Sequence, residues 1–462
     1  MEFIVSCINR GSRFAYCVNL GERITIKKVD ITCSPGEVIE IDDYSKPVPE
    51  GSRREFSDKA LRLPAIETPI KIGITDADEI TKRMWPKIEA AAMLIARKVL
   101  LSIPVIIRFH NDADGSSGAV ALHRALRAML ESKMSTERLN IRWIMNKGVS
   151  YGTSEAAADK LWISNYDCIE KPLMIFIDFG TSVDSNQGVA YMGDSTEIVW
   201  LDHHPIEDGF CGKGLEHYIN PWLFGGDSSY TAGLLSCILS KAISNLDTSI
   251  MEDASLIGDH SRYARFSDDG VAISTILDMI TSDPEIVKTS NQITPAEIER
   301  ILESKKRREE LLHYARIRSE EAMAAAAKSL RKHQLPGAKA FISDFKKVRK
   351  DGTKYPLPGR FASMLFDRLS ASEQEPCILM LHFGSYISIR MDARLNAKVG
   401  MRSLIAEEKR RHEEVISSGG GHDLALSIKL KDESDKEMII RDILMLVTER
   451  LGKGKDANDQ NT

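Results

Sequence analysis

The chain has 462 residues, of which 43% are hydrophobic and 28% are charged, and its formal net charge is −5. These values are typical of a soluble globular protein and, at about 150 residues per domain, of more than one domain. The acidic balance argues against a protein held on nucleic acid by bulk charge alone, and no apolar run approaches the roughly 18 residues of a membrane-spanning helix.

The cellular compartment is indicated by the cysteines and by the N-terminus. Seven cysteines are scattered along the chain with no CxxC pair, which favours a reducing compartment and excludes a disulfide framework or a thiolate zinc site. The first residues lack the basic segment of a secretory signal peptide. We therefore expect a cytoplasmic protein that does not contact a membrane.

A small β-rich module is predicted at residues 1–45, where short β-branched or aromatic runs alternate with Gly and Pro. Two roles stay open for it: a structural or partner-docking cap, and an accessory nucleic-acid module. Residues 46–75 are rich in proline and polar residues, which favours a linker or an extended segment.

Residues 76–290 alternate between apolar runs and helical patterns, which predicts a parallel sheet with helices on both faces. Continuous apolar strands need burial on both sides, and this pattern has them. The predicted strands are 105–109, 139–145, 173–177 and 197–201, and the predicted helices are 79–101, 116–130, 154–163 and 228–243, the last capped by Asp227 or Ser228.

The second half of the chain begins at residues 291–335, which are predicted as one long helix. Its charges lie on every side, so it is too polar for a core helix and is interpreted as a connector between domains. Strands and helices resume at 336–452, and the polar residues 453–462 are expected to be a disordered tail. The predicted fold class is α/β: a parallel-sheet domain joined by a long helix to a smaller α/β domain, with a β-rich N-terminal module.

Clusters of Asp and His follow four apolar runs of the first α/β domain, and we take these runs as parallel strands. Taken alone, each Asp also fits a helix cap or a turn. Because the carboxyl ends of parallel strands meet at one sheet edge, we expect the clusters to converge. Cations would stabilise such a concentration of carboxylates, and oxygen-rich ligands with imidazole favour Mn²⁺ or Mg²⁺. The residues are His110, Asp112, Asp114, Asp178, Asp202, His203, His204 and Asp259.

Four of these motifs resemble those of the DHH phosphoesterase superfamily, and they occur in the order of that family. They are HNDADG at 110–115, the Asp of IDFG at 178, DHH at 202–204 and GD at 258–259. The GGGH at 419–422 is similar to the signature of the family's DHH-associated domain. The HNDADG variant, NPWLFG at 220–225 and YPLPG at 355–359 look most like the archaeal RecJ-like branch, which includes single-strand nucleases that bind the GINS complex of the replisome.

The resemblance implies a site for two divalent metal ions, Mn²⁺ or Mg²⁺. One ion would be held by His110, Asp112 and Asp178. The other would be held by Asp114, Asp178, His203 and Asp259, with Asp178 bridging the two. Asp202 would lie in or just behind the metal shell, and His204 would contact the phosphate or assist proton transfer, so both receive catalytic roles.

The resemblance also implies a phosphate-binding group in the second domain, consisting of Arg390, Gly419, Gly420, Gly421 and His422. Two features depart from the family pattern. Asp423 follows the GGGH motif where a small residue is usual, which leaves the substrate preference open, and His260 has no role in the pattern. Ser116 and Ser117 are either phosphate donors or plain helix caps.

The leading hypothesis for function is a metal-dependent, RecJ-like exonuclease on single-stranded DNA or RNA, acting in replication or repair. One alternative is a phosphodiesterase for nano-RNA or cyclic dinucleotides, against which the N-terminal module argues mildly. The other alternative is a replisome scaffold that binds GINS, and through it the replicative helicase, with weak or no catalysis. The sequence does not predict whether the substrate is DNA or RNA, the direction of degradation, the preferred metal or the oligomeric state.

Overall fold

The computed structural model describes residues 2–12, 14–20, 24–30, 34–40, 53–54, 78–133, 140–146, 148–283, 286, 293–348, 354–422 and 424–456. The chain divides into two compact units, Met1–Arg308 and Glu309–Thr462. Most of the predicted linker at 46–75 and the end of the predicted tail, 457–462, lie outside the described residues. Among the described helices, none combines the length and the apolarity needed to cross a membrane.

The elements of the first unit follow the predicted order closely. Its strands are β1 (Glu2–Asn9), β2 (Phe14–Leu20), β3 (Ile24–Asp30), β4 (Val38–Glu40), β5 (Arg53–Arg54), β6 (Val105–His110), β7 (Ile141–Asn146), β8 (Tyr166–Cys168), β9 (Leu173–Ile177), β10 (Glu197–Leu201) and β11 (His217–Ile219). Its helices are α1 (Asp78–Leu100), α2 (Ala113–Lys133), α3 (Thr153–Ile163), α4 (Asn186–Met192), α5 (Ala232–Ser244), α6 (Ser249–Gly258), α7 (Asp268–Ser282) and α8 (Pro295–Glu303).

A five-stranded parallel sheet in the order β11-β10-β9-β6-β7 forms the centre of this unit. Every residue of β9 is buried, as are the last four of β10 and the first five of β6. These strands are continuous apolar runs because helices cover both faces, leaving no solvent side to carry polar residues. The predicted α/β class is confirmed, and the polar residues after β6, β9 and β10 meet at one sheet edge.

The N-terminal module is an antiparallel sheet in the order β3-β2-β1-β4-β5. β8, from the middle of the parallel-sheet domain, also pairs with β1 and places Cys168 opposite Cys7. The amide of Ile169 donates to the carbonyl of Ser6 at 3.0 Å, and Arg10 forms an ion pair with Asp167 at 2.8 Å. The module is therefore joined to the parallel-sheet domain by a shared strand.

Three local predictions differ from the structure. Asp259 follows the helix α6 and not a strand, because an apolar run as short as Leu256-Ile257 does not distinguish the two. The N-cap of α5 is Thr231, whose hydroxyl accepts from Leu234, whereas Asp227 and Ser228 were predicted. The connector predicted as one helix contains two helices, because Ser304 adopts an extended conformation between them, and its last residues, 331–335, form a strand.

The second unit begins within the long helix α9 (Lys305–Ser329) and contains a six-stranded mixed sheet. Its order is β12-β13-β14-β15-β17-β16, with only β13 and β14 parallel. The strands are β12 (Arg331–Leu335), β13 (Ala338–Asp344), β14 (Cys377–Phe383), β15 (Tyr386–Met391), β16 (Ile416–His422) and β17 (Ala425–Leu430). The helices are α10 (Phe345–Val348), α11 (Pro358–Ser372), α12 (Ala393–Val399), α13 (Met401–Arg411) and α14 (Lys436–Asp456).

The alternation of side chains along β14 divides the core of the second unit into two layers. Ile378 and Met380 pack in one cluster with residues of α12, α13 and α14. Leu379 and Leu381 pack in the other cluster with residues of α9, α10 and α11. Helices therefore cover both faces of the central strands, and β14 is apolar at almost every position for that reason.

One charged residue interrupts the buried face of β6, and its partners predict a large effect on stability. The guanidinium of Arg108 donates to both carboxylate oxygens of Asp159 at 2.7 and 2.8 Å and to the side chain of Asn146 at 3.1 Å. Both charged side chains are buried. Removing one partner of a buried ion pair leaves the other charge uncompensated.

We therefore expect Asp159→Ala to lower the free energy of unfolding of the first unit by about 3–5 kcal/mol. Urea titration followed by tryptophan fluorescence measures this, because all five tryptophans lie in that unit. Asp194→Ala is the control: it removes an exposed ion pair with Lys171, which is worth about 0–1 kcal/mol. Equal losses in the two variants would contradict the prediction.

Candidate metal centre

The first side of the site is the turn between β6 and α2. Nδ1 of His110 lies 2.5 Å from Oδ2 of Asp112, and Oδ1 of Asp112 accepts from the amide of Gly115 at 3.0 Å. A Cβ at position 115 would lie 2.6 Å from the carbonyl oxygen of His110. Glycine is therefore required here so that the start of α2 can approach the end of the strand.

Asp178, directly after β9, occupies the middle of the site and is 2% exposed. Its carboxylate lies 3.6 Å from Nδ1 of His110, 3.3 Å from Nε2 of His203 and 3.9 Å from Nδ1 of His204. Its φ of 66° is in the left-handed region, which is uncommon for a residue with a Cβ. Such backbone strain is concentrated at functional sites, where the surrounding structure maintains it.

The imidazole of His203 is fully buried and has its orientation fixed from behind. Nδ1 lies 2.8 Å from the carbonyl oxygen of Ser228, and because a carbonyl can only accept, Nδ1 carries the proton. Nε2 therefore points at three carboxylates, at 3.1 Å from Asp259, 3.3 Å from Asp178 and 3.6 Å from Asp114. This is the arrangement of a metal-binding histidine, whose second nitrogen is held by a hydrogen bond to the protein.

Asp114 lies in the first turn of α2, and its side chain is fully buried against the N-terminus of α5. Its oxygens accept from the amides of Ala232 and Gly233 at 2.9 and 2.7 Å and from the hydroxyl of Ser255. The first amides of a helix favour a negative charge. The fold therefore compensates for this carboxylate with backbone groups that lie more than a hundred residues away in the sequence.

Asp202 and His204 form a second hydrogen-bonded pair. Oδ1 of Asp202 accepts from the amides of His203 and His204 at 2.7 and 3.1 Å and lies 2.7 Å from Nδ1 of His204. Oδ2 accepts from the hydroxyl of Thr181. Both oxygens of Asp202 are engaged by the protein, whereas the imidazole of His204 is about one-third exposed.

The electrostatics of the site reflect this crowding of carboxylates. Burial raises the pKa of Asp112 to about 6, with Asp178 and Asp259 adding to the effect and His110 opposing it. Burial, Asp178 and Asp259 also raise the pKa of Asp114 well above its usual value. Burial would raise the pKa of Asp178 as well, but His110 and His203 hold it well below its usual value.

The residues present fit divalent cations by the chemistry of their donors. Three groups have ligand atoms within 4.8 Å of one another: His110, Asp112 and Asp178; Asp114, His203 and Asp259; and Asp178, Asp202, His203 and His204. Asp178 belongs to the first and third of these groups, and the second group lacks it, so its bridging position stays a prediction. Carboxylate and imidazole together suit Mn²⁺ and related ions, and a cation would relieve the repulsion that raises the pKa values of Asp112 and Asp114.

The predicted phosphate-binding residues lie in the second unit. Arg390 on β15 and His422 on β16 both align with Ala425 on the intervening strand β17. The guanidinium of Arg390 donates to the hydroxyls of Ser363 and Ser388 at 3.1 and 3.0 Å. Gly419, Gly420 and Gly421 lie in the edge strand β16, so one row of their backbone groups faces away from β17.

The structure describes the remaining residues of the predicted site only in part. The side chain of His422 and the whole of Asp423 lie outside the described residues. Ser116 and Ser117 are fully buried in α2, and neither hydroxyl has a hydrogen-bond partner within the described part of the chain. His260 is exposed and has a φ of 50° in the turn after α6.

Sequence reasoning missed the residues that support the site. Ser228 holds His203, Thr181 holds Asp202, and Asp278 on α7 accepts from the amide of Ala113 at 2.9 Å. Asp278 is 165 residues from its partner, so local spacing contains no signal for it. Asn220 donates to the carbonyl of His204 at 3.0 Å. It belongs to the NPWLFG motif at 220–225, whose sequence indicates no role for it.

Comparisons with known proteins agree with this fold. No family model matches the chain. A solved DHH domain, described as coming from a member of a family of ribosomal proteins, superposes with a TM-score of 0.69 and 18% identity over 85% of this chain and 95% of that one. RecJ from Thermus thermophilus in complex with Mn²⁺ gives a TM-score of 0.49 and 16% identity, covering 79% of this chain and 55% of that one.

One curated relative matches in sequence. An uncharacterized protein of Methanocaldococcus jannaschii is 28% identical over 205 residues, which is 40% of this chain and 26% of that protein. The superposition on the solved DHH domain places the chain among proteins with the DHH fold, and the predicted resemblance to the DHH superfamily is confirmed at the level of the fold.

The raised pKa of Asp112 predicts a stability cost in the metal-free protein. Between pH about 4 and 6 the folded protein keeps a proton on Asp112 that the unfolded chain releases. The folded state therefore loses stability relative to the unfolded state as the pH rises through this window. Asn at position 112 has no charge to desolvate, so the free energy of unfolding of Asp112→Asn does not fall with rising pH in this way.

We expect metal-free Asp112→Asn to be more stable than the wild type by about 1–2 kcal/mol at pH 8, with the gain disappearing below pH about 4. Added Mn²⁺ should reverse the order, because only the wild type keeps this ligand. Urea titration with and without Mn²⁺ measures both effects. Asp208→Asn, at an exposed acid, is the matched control and should change neither. A metal-free variant less stable than the wild type at pH 8 would contradict this electrostatic account.

Proposed function

We propose that the protein is a metal-dependent phosphodiesterase that hydrolyses single-stranded nucleic acid as a RecJ-like exonuclease. The observation that carries the proposal is the position of Asp178, a buried carboxylate at the end of a central strand. It lies within 3.9 Å of three histidines, and Asp112, Asp114 and Asp259 surround it. The DHH fold supports the same class of chemistry, as does the order of the motifs.

Two divalent ions, Mn²⁺ or Mg²⁺, are the proposed cofactors, and when bound they supply an activated water and stabilise charge on the phosphoryl oxygens. His110, Asp112 and Asp178 are the proposed ligands of the first ion. Asp114, Asp178, His203 and Asp259 are those of the second. The carbonyl of Ser228 keeps the Nε2 lone pair of His203 directed at this position.

Asp202 is proposed to act by positioning His204. Its oxygens accept hydrogen bonds from two backbone amides, from the hydroxyl of Thr181 and from His204, so it is already saturated by the protein. Asp202 also raises the pKa of His204 against the lowering effect of burial. With Nδ1 held by Asp202, Nε2 of His204 is the atom proposed to contact a phosphate oxygen or to give a proton to the leaving group.

The loop after Asp259 favours a polynucleotide over a dinucleotide as substrate. It carries the sequence Arg-Tyr-Ala-Arg-Phe at 262–266. The guanidinium of Arg262 lies 4.9 Å from the ring centroid of Tyr263, and Phe266 is 71% exposed. Aromatic rings interleaved with arginines provide stacking surfaces for successive bases and charges for the backbone.

The site and this loop are joined by a short set of contacts. The hydroxyl of Ser261 donates to the carbonyl of Ser229 at 2.6 Å, next to the Ser228 carbonyl that holds His203. The ring of Tyr263 packs edge-to-face against Tyr230 at 5.2 Å between centroids. A strand crossing the loop would therefore enter within a few residues of the proposed ligand Asp259.

The biological setting is proposed on the sequence resemblance alone. A cytoplasmic role in replication or repair, with the GINS complex and the replicative helicase as partners, follows from the similarity to the archaeal RecJ-like branch. Pull-down with purified GINS tests this partner. Binding of GINS by a chain without Mn²⁺-dependent hydrolysis would favour the scaffold alternative.

The bridging position of Asp178 predicts a large catalytic loss on its removal. We expect Asp178→Asn to reduce Mn²⁺-dependent hydrolysis of end-labelled single-stranded DNA or RNA by at least about 10³-fold, since metal clamping supplies several kcal/mol of transition-state stabilisation. Asn also tolerates a positive φ, so the turn is retained. Asp202→Asn should cost about 10–100-fold, as expected for a residue that orients another.

Asp208→Asn, at an exposed acid, is the control for a simple change of charge and should retain full activity. The time course with labelled substrates of several lengths also reports polarity and the choice between DNA and RNA. Unchanged hydrolysis in Asp178→Asn would show that the proposed centre is not the catalytic one.

The aromatic loop predicts a loss that depends on substrate length. We expect Tyr263→Ala and Phe266→Ala to raise KM for a 20-mer about 5–100-fold, because stacking is worth about 1–3 kcal/mol per base. Hydrolysis of a dinucleotide should change little. Tyr191→Ala, at an exposed tyrosine in α4, is the matched control. A wild type that cleaves dinucleotides but not 20-mers would favour the nano-RNA alternative.

A further inference from the structure

The second unit contains its own group of metal-ligand side chains, formed where α13 meets α14. Glu408 and His412 are four residues apart, so they lie on one side of the helix. Nε2 of His412 lies 3.7 Å from Oε2 of Glu408 and 2.9 Å from Oδ2 of Asp442 on α14. One ligand atom from each of the three residues lies within 4.8 Å of the others.

The burial of the Glu408 carboxylate is an independent indication that this group binds a ligand. Its side chain is 0% exposed, and within the described part of the chain neither of its carboxylate oxygens accepts a hydrogen bond. Neighbouring positions on the two helices, Leu404, Ile405, Ile439 and Ile443, belong to the apolar core. An ionised carboxylate in such surroundings is strongly disfavoured unless a cation or several donors compensate for it.

The end of α13 adds a second reason for positive charge at this place. His412 is the C-cap residue of the helix, and the last carbonyls of a helix favour a cation. The imidazole of His412 lies 2.9 Å from Asp442, but it lies too far from Glu408, at 3.7 Å, for a hydrogen bond. This one side chain therefore does not satisfy both carboxylates.

We propose that Glu408, His412 and Asp442 form a second metal site that binds one divalent transition-metal ion, independent of the centre at Asp178. One imidazole and two carboxylates are ligands for Zn²⁺ and for neighbouring first-row ions such as Mn²⁺. Small adjustments of the three side chains bring their ligand atoms to one centre. The three protein ligands leave a further position for water.

The proposed ion would stabilise the start of β16. The amide of Ile416, the first residue of that strand, donates to the carbonyl of His412 at 2.8 Å. By joining the end of α13 to α14, the ion would fix the segment that leads into the glycines at 419–421. The role is therefore positioning, and it is distinct from hydrolysis at the first centre.

Metal content of the full-length protein tests the site. The protein is stripped with a chelator, dialysed against Zn²⁺ and then against metal-free buffer, and analysed by mass spectrometry. We expect Glu408→Gln and Asp442→Asn each to retain one equivalent of Zn²⁺ less than the wild type. Glu414→Gln, which changes an exposed acid two residues after His412, is the matched control and should retain the wild-type content.

Asp178→Asn distinguishes the two centres, because this variant should retain the equivalent of Zn²⁺ that is bound at Glu408, His412 and Asp442. Circular dichroism establishes that each variant is folded, and Asp442, whose side chain is 28% exposed, provides the test if Glu408→Gln does not fold. Equal zinc contents in the wild type, Glu408→Gln and Asp442→Asn would overturn the proposal. An equal loss in Glu414→Gln would overturn it as well, because the effect would then not belong to this group.

Discussion

Repulsion among buried carboxylates is the constraint on which the rest of the first unit depends. Asp112, Asp114 and Asp178 lie at one sheet edge with Asp259 beside them, and each raises the cost of ionising its neighbours. The fold compensates for this cost separately at each carboxylate. Asp114 has the amides at the start of α5, Asp112 has the amide of Gly115, and Asp178 has two imidazoles.

The hydrogen bonds of these residues separate those that could bind a cation from those that position others. Both oxygens of Asp202 accept from donors of the protein, which supports the proposed role of Asp202 in orienting His204. His203 differs from Asp202, because a carbonyl holds one of its nitrogens while the other nitrogen faces three carboxylates. The three adjacent residues Asp202, His203 and His204 thus have three different sets of hydrogen bonds, which the structure shows and the sequence does not.

Much of the fold could be predicted because the strands are continuous apolar runs between polar boundaries. β9 and β10 match the predicted ranges to the residue. Asp259 was assigned to a strand wrongly, since Leu256-Ile257 is too short to show helical periodicity. The partners of the site, such as Ser228, Thr181 and Asp278, come from distant segments, and no local spacing reveals them. For the same reason, the pairing of Glu408 and His412 with Asp442 emerges only from the packing of α13 on α14.

The glycines of β16 show why the second unit would benefit from an anchor. Glycine loses more conformational freedom than any other residue when it is ordered, and it has no side chain with which to pack in a strand. Among the described strands, β16 is moreover an edge strand that pairs with β17 alone. Its register therefore depends on its ends, and its first residue is tied to the carbonyl of His412. An ion at Glu408, His412 and Asp442 would order the strand from that end, and the backbone groups proposed to meet a substrate phosphate would be held in place before the substrate arrives.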